Sequence, residues 1–119
     1  ERPLLGLPAG HPVQQVVDHE LVRLGRRAAQ EMVFNYFDTE IAMVEAGAGS
    51  AVLPSFTLPV CRGRRVAIRP LVDPVVPIEL YQLVSRAKKL SPAAEAFTRF
   101  LRNYIAEWAE PWNKGFGAS

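Results

Sequence analysis

The stretch that most constrains this chain is Asp38 to Pro54, DTEIAMVEAGAGSAVLP. Asp38 and Thr39 are residues that cap a helix start, because their side-chain oxygens accept orphan backbone N–H groups. Ile41, Ala42, Val44 and Glu45 follow with apolar positions at helical spacing. Gly47 and Gly49 stand where that helix must end, since glycine takes the left-handed C-terminal conformation without a Cβ penalty. Ala51-Val52-Leu53 is a short apolar run, expected to be a buried strand, and Pro54 closes it because proline cannot continue a ladder. The stretch is therefore helix, glycine turn, buried strand, loop. Gly47-Ala48-Gly49-Ser50 is not a phosphate loop, which leads from a strand into a helix; this one leads out of a helix.

The remainder of the chain supplies neighbours for that unit. Leu4, Leu5 and Leu7 predict a short strand, and Pro8 to Pro12 a turn. Val13, Val16, Val17, Leu21 and Leu24 recur at three and four residues, so a helix follows, with Pro12 at its first position and Gly25 at its end. Gln30 to Phe34 predicts a second strand centred on Met32, Val33 and Phe34. Phe56 to Arg65 is irregular and Val66 to Arg69 a further short strand. Residues 70–77, with Pro70, Asp73, Pro74 and Pro77, form an extended linker. Ile78 to Val84 is almost continuously apolar, as a strand buried on both faces would be. Ser91-Pro92 starts a long helix, N-cap then proline. Its stripe is Ala94, Phe97, Leu101, Tyr104, Ile105 and Trp108, with Arg99 and Arg102 off it. The tail from Pro111 is Gly- and polar-rich and is expected to be flexible.

Strands alternating with helices argue for a parallel sheet with right-handed crossovers, an α/β, Rossmann-like layer structure. In such units the loops that leave the strand C-termini share one edge, and ligands bind outside it. Three loops qualify: Pro8 to His11, Asn35 to Thr39, and Pro54 to Phe56. Two of them lead into helix N-termini, whose N–H groups and dipole favour an anion. His11, Asn35, Tyr36, Thr39 and Ser55 can add side-chain hydrogen bonds. Each also has a structural reading: Asn35 and Asp38 as caps, Tyr36 and Phe37 as core, His11 as a turn residue.

Composition narrows the classes. The chain has 119 residues, 49% of them hydrophobic, and a formal charge of +2, too small to imply nucleic-acid binding by itself. The arginine runs, Arg26-Arg27 and Arg62, Arg64 and Arg65, are expected to be solvated loops. One cysteine, Cys61, excludes an internal disulfide and suits a reducing cytoplasm. Beside Arg62 its thiol could have a lowered pKa, but a plain unpaired loop cysteine is the favoured reading. No apolar run approaches the ~20 residues of a membrane span. His11, His19 and Cys61 lack metal-ligand spacing. No G-x-S-x-G elbow ties a serine to a histidine, so neither a metal, a cofactor nor a catalytic residue is expected. Asp18 and Glu20 flank His19 on a surface expected to be solvated.

The central stretch resembles the effector-binding domain of LysR-type transcriptional regulators. There a helix with the pattern T-x-x-x-M/L-V-x-A-G-x-G runs into a strand ending in L-P. Here the pattern falls on Thr39, Met43-Val44, Ala46-Gly47, Gly49 and Leu53-Pro54. Arg69-Pro70-Leu71, Asp73-Pro74, Glu79-Leu80 and Leu90 to Ala94, with Phe97, look like the same family's last third. The resemblance runs from about Pro3 to Leu101. It implies the two-lobed periplasmic-binding-protein type II fold. Residues 3–69 would be lobe II, 70–77 a crossover, 78–110 the final strand and helix of lobe I, and 111–119 a tail. It also implies that the rest of lobe I and a DNA-binding helix-turn-helix lie upstream of Glu1, so that DNA is contacted only through that missing domain.

In that family the three loops line the effector cleft. The resemblance thereby gives a ligand-binding role to Gly10, His11, Asn35, Tyr36, Thr39, Pro54, Ser55 and Phe56. The expected ligand is a small organic anion, with Tyr36 and Phe56 as its apolar wall. A homodimer or higher homo-oligomer is expected, because a lone strand and helix cannot bury their own faces. A solute-binding protein of a transport system shares the fold and is the alternative. A small α/β enzyme would need a catalytic constellation that is not found.

Overall fold

The computed structural model describes residues 2–27 and 30–113. The chain divides into two units, Glu1–Ile68 and Arg69–Ser119. In the first, strand β1 (Leu4–Gly6) pairs in parallel with β2 (Gln30–Val33), and the Phe34 N–H continues the ladder onto the Gly6 carbonyl at 2.8 Å. The connection is helix α1 (Pro12–Arg23), as expected for a parallel crossover. Pro12 opens α1 and Gly25, at φ 67, closes it.

The other side of β1 is shared between two partners. The Leu5 N–H donates to Ser50 O at 2.8 Å and the Ser50 N–H to Pro3 O at 2.9 Å, a single parallel bridge. In a strand, residues i and i+2 point their N–H groups to the same side, so the next rung belongs to Leu7. Its N–H is instead taken by the side-chain Oε1 of Gln14, in the first turn of α1, at 3.0 Å. The strand expected over Ala51-Val52-Leu53 is thereby reduced to the bridge at Ser50; those three residues are half-buried and extend no ladder. Gln14 is 4% exposed, and its Nε2 donates to Asp18 Oδ1 at 2.8 Å, so its amide is used at both ends.

Helix α2 (Phe37–Glu45) crosses back to that bridge. Phe37, Glu40, Ile41 and Val44 fall at helical spacing and are its covered face. Ile41, Leu5 and Leu7, each 2% exposed, are the core. Full burial of such side chains contributes roughly 1.5–3 kcal/mol each. The two glycines at the helix end do different work. Gly47 sits at φ 85, with its N–H on Val44 O and the Ala48 N–H on Met43 O, both at 3.0 Å, a Schellman close. Gly49 is buried for space: a Cβ there would lie 2.4 Å from the Pro3 carbonyl oxygen and 3.0 Å from Leu5 Cδ2. The unit ends with a 3-10 turn, Ser55–Thr57, and the one-turn helix α3 (Leu58–Cys61). Val66 to Arg69, expected as a strand, has no regular structure.

In the second unit, residues 70–84 form no strand, and the Asp73–Pro74 bond is cis. Ile78 to Val84, expected to be a buried strand, has no neighbouring strand among the described residues to receive its N–H and C=O groups. Leu83 is 92% exposed. Helix α4 (Pro92–Asn113) starts as its sequence dictates, with Ser91 Oγ accepting the Ala94 N–H at 3.2 Å. It runs three residues into the stretch expected as a tail; residues 114–119 lie outside the described ones. Its stripe is partly exposed, at Phe97, Tyr104 and Ile105, and half-buried at Ala94, Leu101 and Trp108; Phe100, beside it, is exposed and stacks on Tyr104 at 5.9 Å. Gln82 Nε2 donates to Thr98 Oγ1 at 3.1 Å and ties the extended segment to the helix.

The two glycines should separate in a urea melt. Gly49→Ala drives a Cβ into backbone and is expected to cost ~3 kcal/mol or more. Gly47→Ala keeps the space but forces a left-handed alanine, a loss of about 1 kcal/mol.

Candidate functional site

The three loops predicted to share one sheet edge are brought together by aromatic contacts. The imidazole of His11, in the loop after β1, meets the Phe37 ring edge-on at 5.5 Å. Phe37, at the start of α2, meets Phe56, in the loop after Ser50, edge-on at 5.8 Å. Edge-to-face rings at these separations attract by about 0.5–1.5 kcal/mol per pair beyond burial. Phe37 is thus the ring that joins the three loops. The sequence reading assigned the apolar wall to Tyr36 and Phe56. Tyr36 is 73% exposed, and Phe37 takes the inward place.

The two helix N-termini at this edge are not equivalent. That of α1 is closed by its own residues. His11 Nδ1 accepts the Val13 N–H at 3.2 Å, and Pro12 has no N–H to satisfy. Accepting this bond requires an unprotonated Nδ1, so the neutral ring carries its proton on Nε2. The start of α2 is open. Its cap is Tyr36, which makes no side-chain cap bond, so the expected capping by Asn35, Asp38 or Thr39 does not occur. The helix begins one residue before Asp38, at Phe37, which places Asp38 and Thr39 inside the first turn. The N–H groups of Phe37, Asp38 and Thr39 have no acceptor within the helix.

Around this edge Gly10, Asn35, Thr39 and Ser55 are exposed and Phe56 is half-buried. Pro54 is buried, and its carbonyl accepts both the Thr57 N–H at 3.0 Å and the Thr57 hydroxyl at 2.8 Å. That carbonyl shapes the third loop; its lone pairs are spent within the turn.

Glu40 is the residue that sequence reasoning missed most completely. It lies on the covered face of α2, one turn after Phe37, and is 1% exposed. Among the described residues its Oε2 has no hydrogen-bond partner. Burial alone pushes its carboxyl up from 4.5 to about 7. The signal was present as an interruption: positions 37, 40, 41 and 44 read Phe, Glu, Ile, Val.

Elsewhere the charges are structural. Glu45 accepts the Arg65 N–H at 3.0 Å and pairs with Arg64 at 3.3 Å; chiefly the Arg65 bond holds its carboxyl below the ordinary range. The arginine run expected to be solvated is thus partly tied to the end of α2. Asp18 and Glu20 are likewise engaged, by Gln14 and, at 2.8 Å, by Arg23. Burial raises the Cys61 thiol more than Arg64 lowers it, which favours the plain unpaired cysteine over an activated thiol. Among the described residues no three His, Cys, Asp or Glu side chains gather as a metal site, and no helix is long and apolar enough to cross a membrane.

The family model described as the LysR substrate binding domain matches residues 1–106 of the chain. Neither a curated protein nor a solved structure shows significant similarity to it.

The buried acid sets a pH dependence. An unfolded Glu40 titrates near 4.5 and the folded one at about 7, so the native state holds the proton more tightly. Its stabilising effect is complete below the unfolded value and is lost as pH rises through the folded one. In urea melts the protein should lose about 2 kcal/mol between about pH 5 and pH 8 that Glu40→Gln does not lose.

Proposed function

Because the chain belongs to the LysR substrate binding domain family, we propose that it is the effector-sensing part of a LysR-type transcriptional regulator. The family's fold is of the periplasmic-binding-protein kind. On that fold the unit Glu1–Ile68 corresponds to lobe II and Arg69–Ser119 to the returning part of lobe I. The protein works in the cytoplasm as a homo-oligomer, DNA contact belongs to a separate helix-turn-helix domain, and sensing requires no catalysis. The exposed Phe97, Phe100 and Tyr104 of α4 and the exposed Ile78 to Val84 support a role for further protein surface in covering them. A bound effector would act by favouring one of two states of the regulator.

The observation that carries the ligand site is the convergence of His11, Phe37 and Phe56 beside the open start of α2. The three N–H groups of that turn are uncharged donors, and Phe37 and Phe56 offer apolar surface at the same edge. A small organic carboxylate, aromatic or short aliphatic, meets both. Its charge takes the N–H groups, with help from Thr39 or Asn35, and its carbon skeleton takes Phe37 and Phe56. Charge-assisted bonds of this kind contribute roughly 1.5–3 kcal/mol each. Of the two acids in that turn, Glu40 is held neutral by burial up to about 7, which leaves Asp38 to oppose an anion.

A thermal-shift screen of carboxylates against neutral and cationic isosteres, run on the full-length regulator, tests this. Carboxylates should raise the melting temperature. Phe37→Ala and Thr39→Ala should each weaken the best of them about tenfold, ~1.4 kcal/mol. Hits confined to neutral or cationic compounds, or affinities within about twofold of wild type in both variants, would show that the helix-start site is wrong.

A further inference from the structure

We propose that Glu40 is a proton-operated latch on the aromatic edge: with its carboxyl protonated the first turn of α2 stays seated and Phe37 lies between His11 and Phe56, and with the proton lost that turn is released. The argument starts from placement. Glu40 occupies a position on the covered face of α2 between Phe37 and Val44, next to the core residue Ile41. Its Oε2 is sealed from solvent and unpartnered among the described residues. A neutral carboxyl can lie in such a place at the cost of an unmade hydrogen bond. An ionised carboxylate there finds neither water nor a counter-charge at Oε2, and the desolvation cost is far larger.

Among the described residues no charge relieves it. The titratable groups of the adjoining segments are engaged elsewhere: Asp18 accepts from Gln14, His11 Nδ1 accepts the Val13 N–H, and Arg64 pairs with Glu45. The other acid of the same turn, Asp38, is exposed. Burial is the one cause found for the Glu40 shift, and no neighbouring cation contributes. When pH rises the carboxyl O–H gives its proton to solvent, and the carboxylate reaches water by turning that part of the helix outward. Side chains three residues apart are neighbours on a helix, so Phe37 moves with it. The ring contacts at 5.5 Å and 5.8 Å are lost together, because Phe37 is common to both. The inference rests on the reading of this edge as the ligand site, and it makes that site one that is formed when Glu40 carries a proton.

The test needs no ligand and uses the full-length protein with 13C- and 15N-labelling. The Glu40 carboxyl carbon should titrate with a midpoint near 7, its shifted value. The exchange protection of the Glu40 and Ile41 amides, corrected for intrinsic rates, should fall about tenfold between about pH 6 and pH 8. The cross-peaks between the Phe37 and Phe56 rings should weaken in parallel. In Glu40→Gln both should stay flat. Glu40→Leu, which restores an apolar residue to the covered face, serves the same purpose if the amide variant does not fold. A wild-type midpoint below about pH 5, or an equal loss of protection in the variants, overturns the latch. Either result leaves the carboxylate reading standing, and failure of the thermal-shift screen leaves the latch standing.

Discussion

The first unit depends on how the second side of β1 is completed. Two N–H groups there, of Leu5 and Leu7, need acceptors. One receives a backbone carbonyl, that of Ser50, and the other a side-chain amide, that of Gln14. This division fixes three things at once. It docks the first turn of α1 against the end of the strand, it holds the glycine turn against Pro3, and it stops the third strand after one rung. A buried N–H left without a partner costs about 1–3 kcal/mol, so neither acceptor is optional. The close approach at Gly49 follows from the same bridge, since Ser50 reaches β1 only if the residue before it has no side chain.

From that arrangement comes an edge with one closed and one open helix start. His11 spends its Nδ1 on its own helix, and Pro54 spends its carbonyl on Thr57. Each loop is thus braced by a short-range bond of its own, and the rings of His11, Phe37 and Phe56 connect the braced loops to one another. What remains uncommitted is the first turn of α2. The chemistry of the edge therefore resides in that turn, and Glu40 lies beneath it.

The outline of this unit was readable from residues alone where spacing and glycine carry the information. Pro12 and Gly25 bracket α1, Gly47 ends α2, and β1 pairs with β2 in parallel. The three loops were also placed at one edge, because topology puts them there. Two of the failures share a cause: a polar side chain doing work that pattern assigns to backbone or to apolar residues. Gln14 took a ladder position, so Ala51-Val52-Leu53 did not become a strand despite its composition. Glu40 sits where the helical period calls for an apolar residue, and so it was passed over. Sequence assigns the apolar wall to Tyr36 and leaves Phe37 as a core candidate, whereas the structure exposes Tyr36 and turns Phe37 inward. Ile78 to Val84 has the composition of a buried strand, but composition cannot supply the neighbouring strands that make one.

The Gln14 bond has a kinetic consequence. It joins residues seven apart in the chain, whereas the pairs of β1 with β2 and with Ser50 span several times that distance. Loop-closure entropy grows with the length enclosed, so the local bond is the least costly to form first. A β1 end fastened to the start of α1 leaves one free side, which β2 takes. The Ser50 segment, which encloses the longest loop of the three, has a single rung left to it. The shortened third strand thus goes with the largest closure entropy among the partners of β1.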